Sequence, residues 1–574
     1  MTRSNYSISL LLIVLSLFAC ARQGVPTGGP KDTTPPKIDS LASSPNFSTR
    51  FNEPRIQLTF DEWIVLKDAP TQVLISPPLN KRPDISLKGK TVTVKFAEGE
   101  VLRPNTTYTV NFGNAVLDLH EGNPAKDLRF VFSTGDFIDS LTVSGSVVDA
   151  FTGEPVENVS VMLYEHLEDS VARNEKPFYL AKTNKSGVFN MQNVKAGRFR
   201  MLGYEDKDQN LKWSSDNESI AFTDSSMNIT PAISRRFTSL RLFKDQARFR
   251  LFDKNANRYG LVKLVYTGSP GAIRLRTVPE VSTLRLLPVS SQDTLLIWYD
   301  LPEPTGWQLL AGGDTVVVRD LSRVDFLKSY RLGQVQEASP VRSTERGSKP
   351  AAAATVVTKT QPTKTVNQNP AKPTFLDFIT PITAVDTNKW RLNVDSSQLR
   401  GFIIRPDSTD PRRVQIIVPW MAGKIYQLLA LPGAVTDFYG VRNTDTIRVA
   451  YTVLSDKQLG GLNLTVSSLV PKGNYVLQLL NGKEVVEVRR FQAELNEKRL
   501  TFANLLTAVY TVQLIEDRNG NGQWDTGDFY AHRQPERVFT KKLDALRANW
   551  EVEATMEATT GTNNRSKPGK DQKN

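Results

Sequence analysis

The sequence predicts an all-β chain of tandem β-sandwich domains, present as a duplicated pair with a disordered linker. Three observations predict this class. Short stretches alternate apolar and polar residues with the two-residue period of a half-buried strand, as in Ile56-Gln-Leu58-Thr-Phe60 and Val92-Thr-Val94-Lys-Phe96. Turn-forming clusters separate these stretches, and 34 Gly and 33 Pro in 574 residues supply them. Residues also recur at fixed offsets between the two halves, as duplication requires. The length alone implies about three to five domains.

The chain opens with Met1-Thr-Arg3 and an apolar run from Ile8 to Ala19, too short to span a bilayer but suited to a secretory leader. It ends Leu17-Phe18-Ala19-Cys20, which resembles the lipobox of bacterial lipoproteins, although Phe18 is bulkier than that family's usual residue. The resemblance implies a signal peptide over 1–19 and lipidation of Cys20, the only cysteine. The alternative is a plain signal peptide with an incidental cysteine. Residues 20–36, with Pro26, Gly28, Gly29, Pro30, Pro35 and Pro36, form the expected tether. The expected location is the cell envelope, at the outer membrane, with the face left open. The net charge of +12 is spread along the chain, so a basic surface near anionic lipid or polysaccharide fits it better than nucleic-acid binding.

Residues 37–136 carry Leu58-Thr-Phe60-Asp61-Glu62, Leu102-Arg-Pro104-Asn-Thr-Thr-Tyr108-Thr-Val110, Asp118-Leu-His-Glu-Gly122-Asn123-Pro124 and Phe132-Ser-Thr134-Gly135. These motifs resemble the SbsA-type bacterial Ig-like domain, which implies a sandwich serving as a spacer or binding module. Residues 137–240 follow, with Val143-Ser-Gly145-Ser-Val147, Thr152-Gly153-Glu154-Pro155, Ser186-Gly187-Val-Phe189 and Asn193-Val194-Lys-Ala-Gly197. They resemble the transthyretin-like, carboxypeptidase-regulatory-like fold, with the same implication. Residues 241–332 are β-patterned without a recognisable family, and Asp253-Lys-Asn255-Ala-Asn257 reads there as a hairpin turn. Residues 333–372 have no aromatic before 373 and a run of Ala351 to Ala354, the composition of a disordered linker spanning roughly 35 Å.

Beyond the linker the chain repeats. Leu376, Phe378, Ile382 and Asp386 follow Leu58, Phe60, Ile64 and Asp68 by 318 residues, as Tyr426 follows Tyr108. Residues 373–454 are therefore expected to form a second, divergent Ig-like domain. Asn504, Tyr510, Asp517, Asn519, Asn521 and Trp524 follow Asn193, Phe199, Asp206, Asp208, Asn210 and Trp213 by 311. Residues 455–553 are expected to form a second transthyretin-like domain, and 554–574 a disordered tail.

The segment Asp517-Arg-Asn519-Gly-Asn521-Gly522-Gln523-Trp524-Asp525-Thr-Gly-Asp528 sets oxygen-bearing side chains at positions 1, 3, 5, 9 and 12, with a glycine at 6 that lets position 7 offer its carbonyl. That spacing suits a hard cation such as Ca²⁺, held by Asp517, Asn519, Asn521, Gln523, Asp525 and Asp528. Its counterpart, Asp206, Asp208 and Asn210, is a weaker candidate because Leu211 replaces the glycine. An Asx-rich turn that needs no metal explains either segment as well. No catalytic residue is expected. His120, His166 and His532 are far apart, and Gly-x-Ser-x-Gly, His-Glu-x-x-His and Walker motifs are missing. The expected function is a non-enzymatic, lipid-anchored envelope scaffold or interaction module, its partner an envelope protein or polysaccharide. The alternatives are a glycan- or peptide-binding accessory of an uptake or degradation system, and a hydrolase with its site in 241–332.

Overall fold

The computed structural model describes residues 32–214, 218–232, 237–245, 249–271, 273–291, 293–302, 306–318, 322–334, 364–395 and 397–558. The leader, Cys20, the tether before 32, the linker over 335–363 and the tail from 559 lie outside the described residues. Strands dominate the rest, and the helices are single short turns such as Ala69–Gln72, Val171–Asn174 and Arg323–Ser329. The chain divides into two compact units, one up to Val148 with Pro155–Leu242, the other Asp149–Glu154 with Phe243 onward.

In the first unit, Thr91–Lys95 pairs with Arg55–Thr59 and Asp84–Lys88. Thr107–Asn111 lies between Leu74–Ser76 and Arg129–Ser133, and Ile64–Leu66 pairs with Val116–Asp118. Ile56, Leu58, Val92 and Val94, the alternate positions of two strands, meet Tyr108, Val110, Phe130 and Phe132 in one core. A second sandwich follows. One sheet runs Tyr179–Lys182, Ser160–Tyr164, Gly197–Tyr204, Ile220–Phe222; the other runs Val188–Val194, Leu141–Asp149, Phe237–Leu242. Val143 and Phe189 from one sheet pack with Val161, Leu163 and Met201 from the other.

The second unit repeats both topologies. Arg413–Ile417 lies between Thr374–Asp377 and Ile403–Pro406, Ile425–Ala430 between Trp390–Val394 and Ile447–Val453, and Ile382–Val385 pairs with Val435–Asp437. Register repeats too: Ile64 is opposite Asp118, and Ile382 opposite Asp437. The sheets Glu484–Gln492, Asn474–Asn481, Val509–Asp517, Val538–Ala545 and Glu497–Leu506, Leu459–Ser467, Glu551–Glu557 reproduce the strand order of the second sandwich, with Val538–Ala545 alone where the first copy pairs both Ile220–Phe222 and Met227–Ile229 with its central strand. Between the copies, Leu251–Arg258, Leu261–Tyr266, Thr294–Asp300 and Arg285–Ser291 form one sheet, and Leu275–Val278, Trp307–Ala311 and Asp314–Val318 another.

Three expectations need correction. Lys364–Gln368, assigned to the linker, is a strand parallel to Val449–Val453. Its first-copy counterpart is the segment around Ser48, which bridges Phe132 in parallel; an edge that needs covering orders this stretch despite its polar composition. The tail begins later than 554, because Glu551–Glu557 pairs in parallel with Gly461–Ser467. Asp253–Asn257 is not a turn but a strand with register shifts on either side of Asp253–Asn255; the hairpin turns at Tyr259–Gly260.

Candidate functional site

The strand Val509–Asp517 delivers Asp517 into its loop with the carboxylate buried. Oδ1 accepts the N–H groups of Gly520 (2.8 Å) and Asn521 (3.1 Å), and Oδ2 that of Gly522 (2.8 Å). Gly520 and Gly522 have φ of 75° and 77°, the left-handed values such a turn demands. The side-chain amides of Asn519 and Asn521 both donate to Asp525 Oδ2, at 2.6 and 2.8 Å. Asp517, Asn519, Asn521 and Asp525 thus gather in one loop. Gln523 joins through its backbone N–H to Asn521 Oδ1, with its side chain exposed. Asp528 belongs to the next turn, accepting from Ala531 N–H at 2.9 Å. The carboxylate that closes the loop is instead Glu536, which spacing did not flag. Its buried carboxylate accepts from Arg518 and Asp525 N–H at 2.7 and 3.0 Å, while Trp524 Nε1–H donates to its carbonyl at 3.1 Å. Burial pushes the Glu536 carboxyl up, with the backbone donors opposing and the Asp525 and Asp517 charges adding to the rise.

The first copy builds the same loop with different chemistry. Trp213 is wholly buried and donates Nε1–H to Glu218 O at 3.0 Å, and the Arg173 guanidinium lies 4.6 Å over its ring. Glu218 Oε2 accepts Ser214 N–H at 2.9 Å. Asp206 accepts the N–H groups of Asn210 (3.0 Å) and Leu211 (3.1 Å). One carboxylate oxygen from each of Asp206, Asp208 and Glu218 lies within 4.8 Å of the others, the one such group among the described residues. Burial pushes the Asp206 carboxyl up to about 6, with the adjacent Asp208 contributing. Gln209 and Leu211, with φ of 57° and 61°, hold the backbone shape that glycines hold at 520 and 522. These carboxylates are hard oxygen donors, the set that suits Ca²⁺. Glu218 and Glu536 lie outside the 311 offset that relates the rest of the two loops, so the repeat did not reveal them.

The Ig-like sandwiches carry a second repeated feature. Asp118 Oδ1 accepts the N–H groups of His120, Glu121 and Gly122 at 2.6–3.0 Å, and Oδ2 that of Asn123 at 2.8 Å. Burial would raise its carboxyl, but these donors outweigh it and hold the group below the ordinary aspartate range. In the second copy Asp437 accepts from Tyr439 and Val441 N–H at 3.0 and 2.8 Å and from the Tyr330 hydroxyl at 2.6 Å. There burial prevails and the carboxyl is pushed up. This second loop is covered within its unit: Phe438 and Tyr439 enter the core of the sheets between Leu251 and Val318. Tyr439 donates its hydroxyl to Gly260 O at 2.7 Å, and Arg323 donates to Tyr439 O at 3.1 Å. At the first loop, Leu119 and Trp63 stay 49% and 57% exposed.

The three histidines lie in separate segments of the fold. His120 lies in the Asp118 turn, His166 pairs with Glu175 at 2.9 Å, and His532 sits in the turn after Asp528. Asp61 Oδ1 accepts Lys37 N–H at 2.9 Å. Among the described residues of 241–332 the buried carboxylate is Asp300, whose oxygens take the Tyr259 hydroxyl (2.8 Å), Arg323 (2.8 Å) and Arg285 (2.9 Å).

No curated protein matches the sequence. Among solved structures, the chain is similar to BcpA, the major pilin subunit of Bacillus cereus, at 10% identity over 73% of this chain and 99% of that one, with a TM-score of 0.12. It is similar also to the Bacillus anthracis TIE protein, at 8% identity over 93% and 76%, TM-score 0.14. A third is the S-layer protein rSbsC, at 10% over 88% and 67%, TM-score 0.11. At those scores the likenesses carry no functional weight. The match to a known family is local: the bacterial Ig-like domain covers residues 32–134, the first sandwich together with its Asp118 loop.

Proposed function

We propose that this chain is a non-enzymatic protein of the bacterial cell envelope, lipid-anchored through Cys20 at the outer membrane, in which tandem sandwiches act as scaffold and interaction module. The observation that carries the interaction role is the asymmetry of the two Asp loops. The second loop, at Asp437, holds a neighbouring sheet domain through Phe438, Tyr439 and Tyr330. The first, at Asp118, leaves Trp63 and Leu119 exposed at the same place on the same fold. Large apolar side chains grouped on a surface mark a binding face, and an envelope protein or polysaccharide is the partner this reading implies. A photocrosslinking amino acid at position 63 in the native host is expected to give a discrete adduct absent when it is placed at exposed Lys88; equal labelling at both would sink the reading. The anchor has its own test: Cys20→Ser should abolish incorporation of radioactive fatty acid, and persistent labelling would refute it.

A structural Ca²⁺ belongs to the same proposal. Asp206, Asp208 and Glu218 would hold it in the first copy, and Asp517, Asn519, Asn521 and Asp525 with Glu536 in the second. Such an ion would offset the mutual repulsion of the carboxylates and clamp the loop onto the tryptophan. Full-chain thermal unfolding is expected at higher temperature in CaCl₂ than in EDTA, with the gain reduced by Asp206→Asn. Identical curves in the two conditions would end this part of the proposal.

A further inference from the structure

In the last sandwich, the central strand Leu459–Ser467 begins with Gly460 and Gly461, and the chain bulges there opposite 502–505. A Cβ on Gly460 would lie 2.5 Å from Arg547 O and 3.2 Å from Trp550 O, and one on Gly461 would lie 3.2 Å from Glu551 Cγ. The paired glycines therefore let the segment before the closing strand come down onto the sheet. They leave a groove of about 270 Å³, lined by Asp456, Asn463, Thr501, Asn504, Trp550 and Glu551 among others.

Trp550 is held at this groove by its backbone while its side chain is 65% exposed. Gly461 N–H donates to Trp550 O at 2.9 Å, and Asn549 N–H to Leu459 O at 2.9 Å. An exposed indole on a backbone fixed in this way presents a large apolar face beside the groove. Beside it, Asn463 Nδ2 donates to Glu551 and Glu553, both at 3.2 Å, and Asn463 Oδ1 accepts the Thr501 hydroxyl at 3.0 Å. Each carboxylate can accept several more hydrogen bonds, so the rim offers charge-assisted acceptors for hydroxyl groups.

We propose that this groove binds a saccharide, with Trp550 stacking on the apolar face of a sugar ring and Asn463, Glu551 and Thr501 facing its hydroxyls. A sugar ring combines an apolar C–H face with a perimeter of hydroxyl donors, which is the pairing this surface offers. The volume is near the lower end of the ~300–1,000 Å³ of ligand pockets, so the groove accommodates one or two rings of a longer chain. The proposal stands apart from the anchor and from the cation loops, and fails or survives without them.

The test titrates the full chain with three tetrasaccharides, of β-1,4 N-acetylglucosamine, β-1,4 glucose and α-1,4 glucose, by tryptophan fluorescence and calorimetry, with a tetralysine peptide alongside. At least one sugar is expected to give a saturable signal with a blue shift of the indole emission. Trp550→Ala should weaken it at least tenfold, Trp550→Phe only a few fold, and Asn463→Ala about fivefold. Exposure of Trp550 keeps these variants folded, which their unfolding curves would verify. The absence of saturation by all three sugars at 10 mM overturns the proposal, as does undiminished binding by Trp550→Ala. Binding of tetralysine alone overturns it in favour of a peptide site.

Discussion

Asp300→Asn tests the junction that holds the Asp437 loop. Asp300 is buried, and its carboxylate receives Tyr259, Arg323 and Arg285. Arg323 and Arg285 reach on to the carbonyls of Tyr439 and Phe438. The Arg285 side chain is 56% exposed, so its ion pair contributes at most about 1 kcal/mol. The Arg323 side chain is 29% exposed, and its bond to a buried carboxylate belongs with charged hydrogen bonds of about 1.5–3 kcal/mol. Asparagine keeps one acceptor for Tyr259 but no charge for the guanidinium groups, so a loss of about 2–4 kcal/mol is expected. Urea unfolding of the full chain, read through Trp298 and Trp307 in the same core, measures it. Burial would raise the Asp300 carboxyl, yet its three donors hold it below the ordinary aspartate value. A folded pKa below the unfolded one stabilises above the unfolded value, near ~3.9, and the benefit drains away as pH falls through the folded value. The wild-type advantage should therefore be complete at pH 7 and shrink below about pH 4. A difference under about 1 kcal/mol, or one constant down to pH 3, would refute this account.

Other substitutions probe the copies against each other. Gly145→Ala would place a methyl 2.0 Å from Thr238 O, a clash between backbones with nowhere to relax; a loss of at least ~2 kcal/mol by denaturant unfolding is expected. The Tyr108 and Tyr426 hydroxyls accept Arg103 and Met421 N–H at 2.8 and 3.0 Å, so Tyr108→Phe and Tyr426→Phe should each cost about 1 kcal/mol. Costs differing by more than about 1 kcal/mol would argue against equivalent roles. Gly522→Leu recreates the residue that Leu211 represents in the first loop and should cost about 1–2 kcal/mol, since φ there is 77°; an unchanged midpoint would show the turn tolerates a side chain.

The strands were legible because their chemistry is local. Ile56, Leu58, Val92 and Val94 announce a buried face by alternation alone, and the core uses those side chains. The offset of 318 was legible for a different reason: Ile64 and Ile382 keep one register against Asp118 and Asp437. What escaped was set by partners distant in sequence. Lys364–Gln368 is polar and reads as linker, but its backbone completes a sheet whose other strand lies some eighty residues on. Asp528 fitted a twelve-residue cation pattern that presumes a continuous loop, whereas the chain makes a fresh turn at Asp528–Arg533. Glu536 escaped for the converse reason. It arrives from beyond that turn, where loop spacing has no bearing.

The two loops reach one backbone shape by opposite compromises. In the second copy, glycines at 520 and 522 supply the left-handed turns without steric cost, and amides at 519 and 521 stand between the acids as donors to Asp525. Asp525 thereby has two neutral amide donors within the protein. The first copy places Gln209 and Leu211 at those left-handed positions and brings Asp206, Asp208 and Glu218 together, with Ser214 and Asn210 as side-chain donors to Asp208. It bears both backbone strain and carboxylate repulsion, and gains neither glycine nor a second asparagine to relieve them. The gathering of three carboxylates beside a buried tryptophan therefore makes the first loop, which has fewer matches to a cation-binding spacing, the better place to look for a cation's effect on stability. The spacing ranked the loops by how many oxygen-bearing residues each carries in order, but repulsion is decided by which of those oxygens are charged and how near they come.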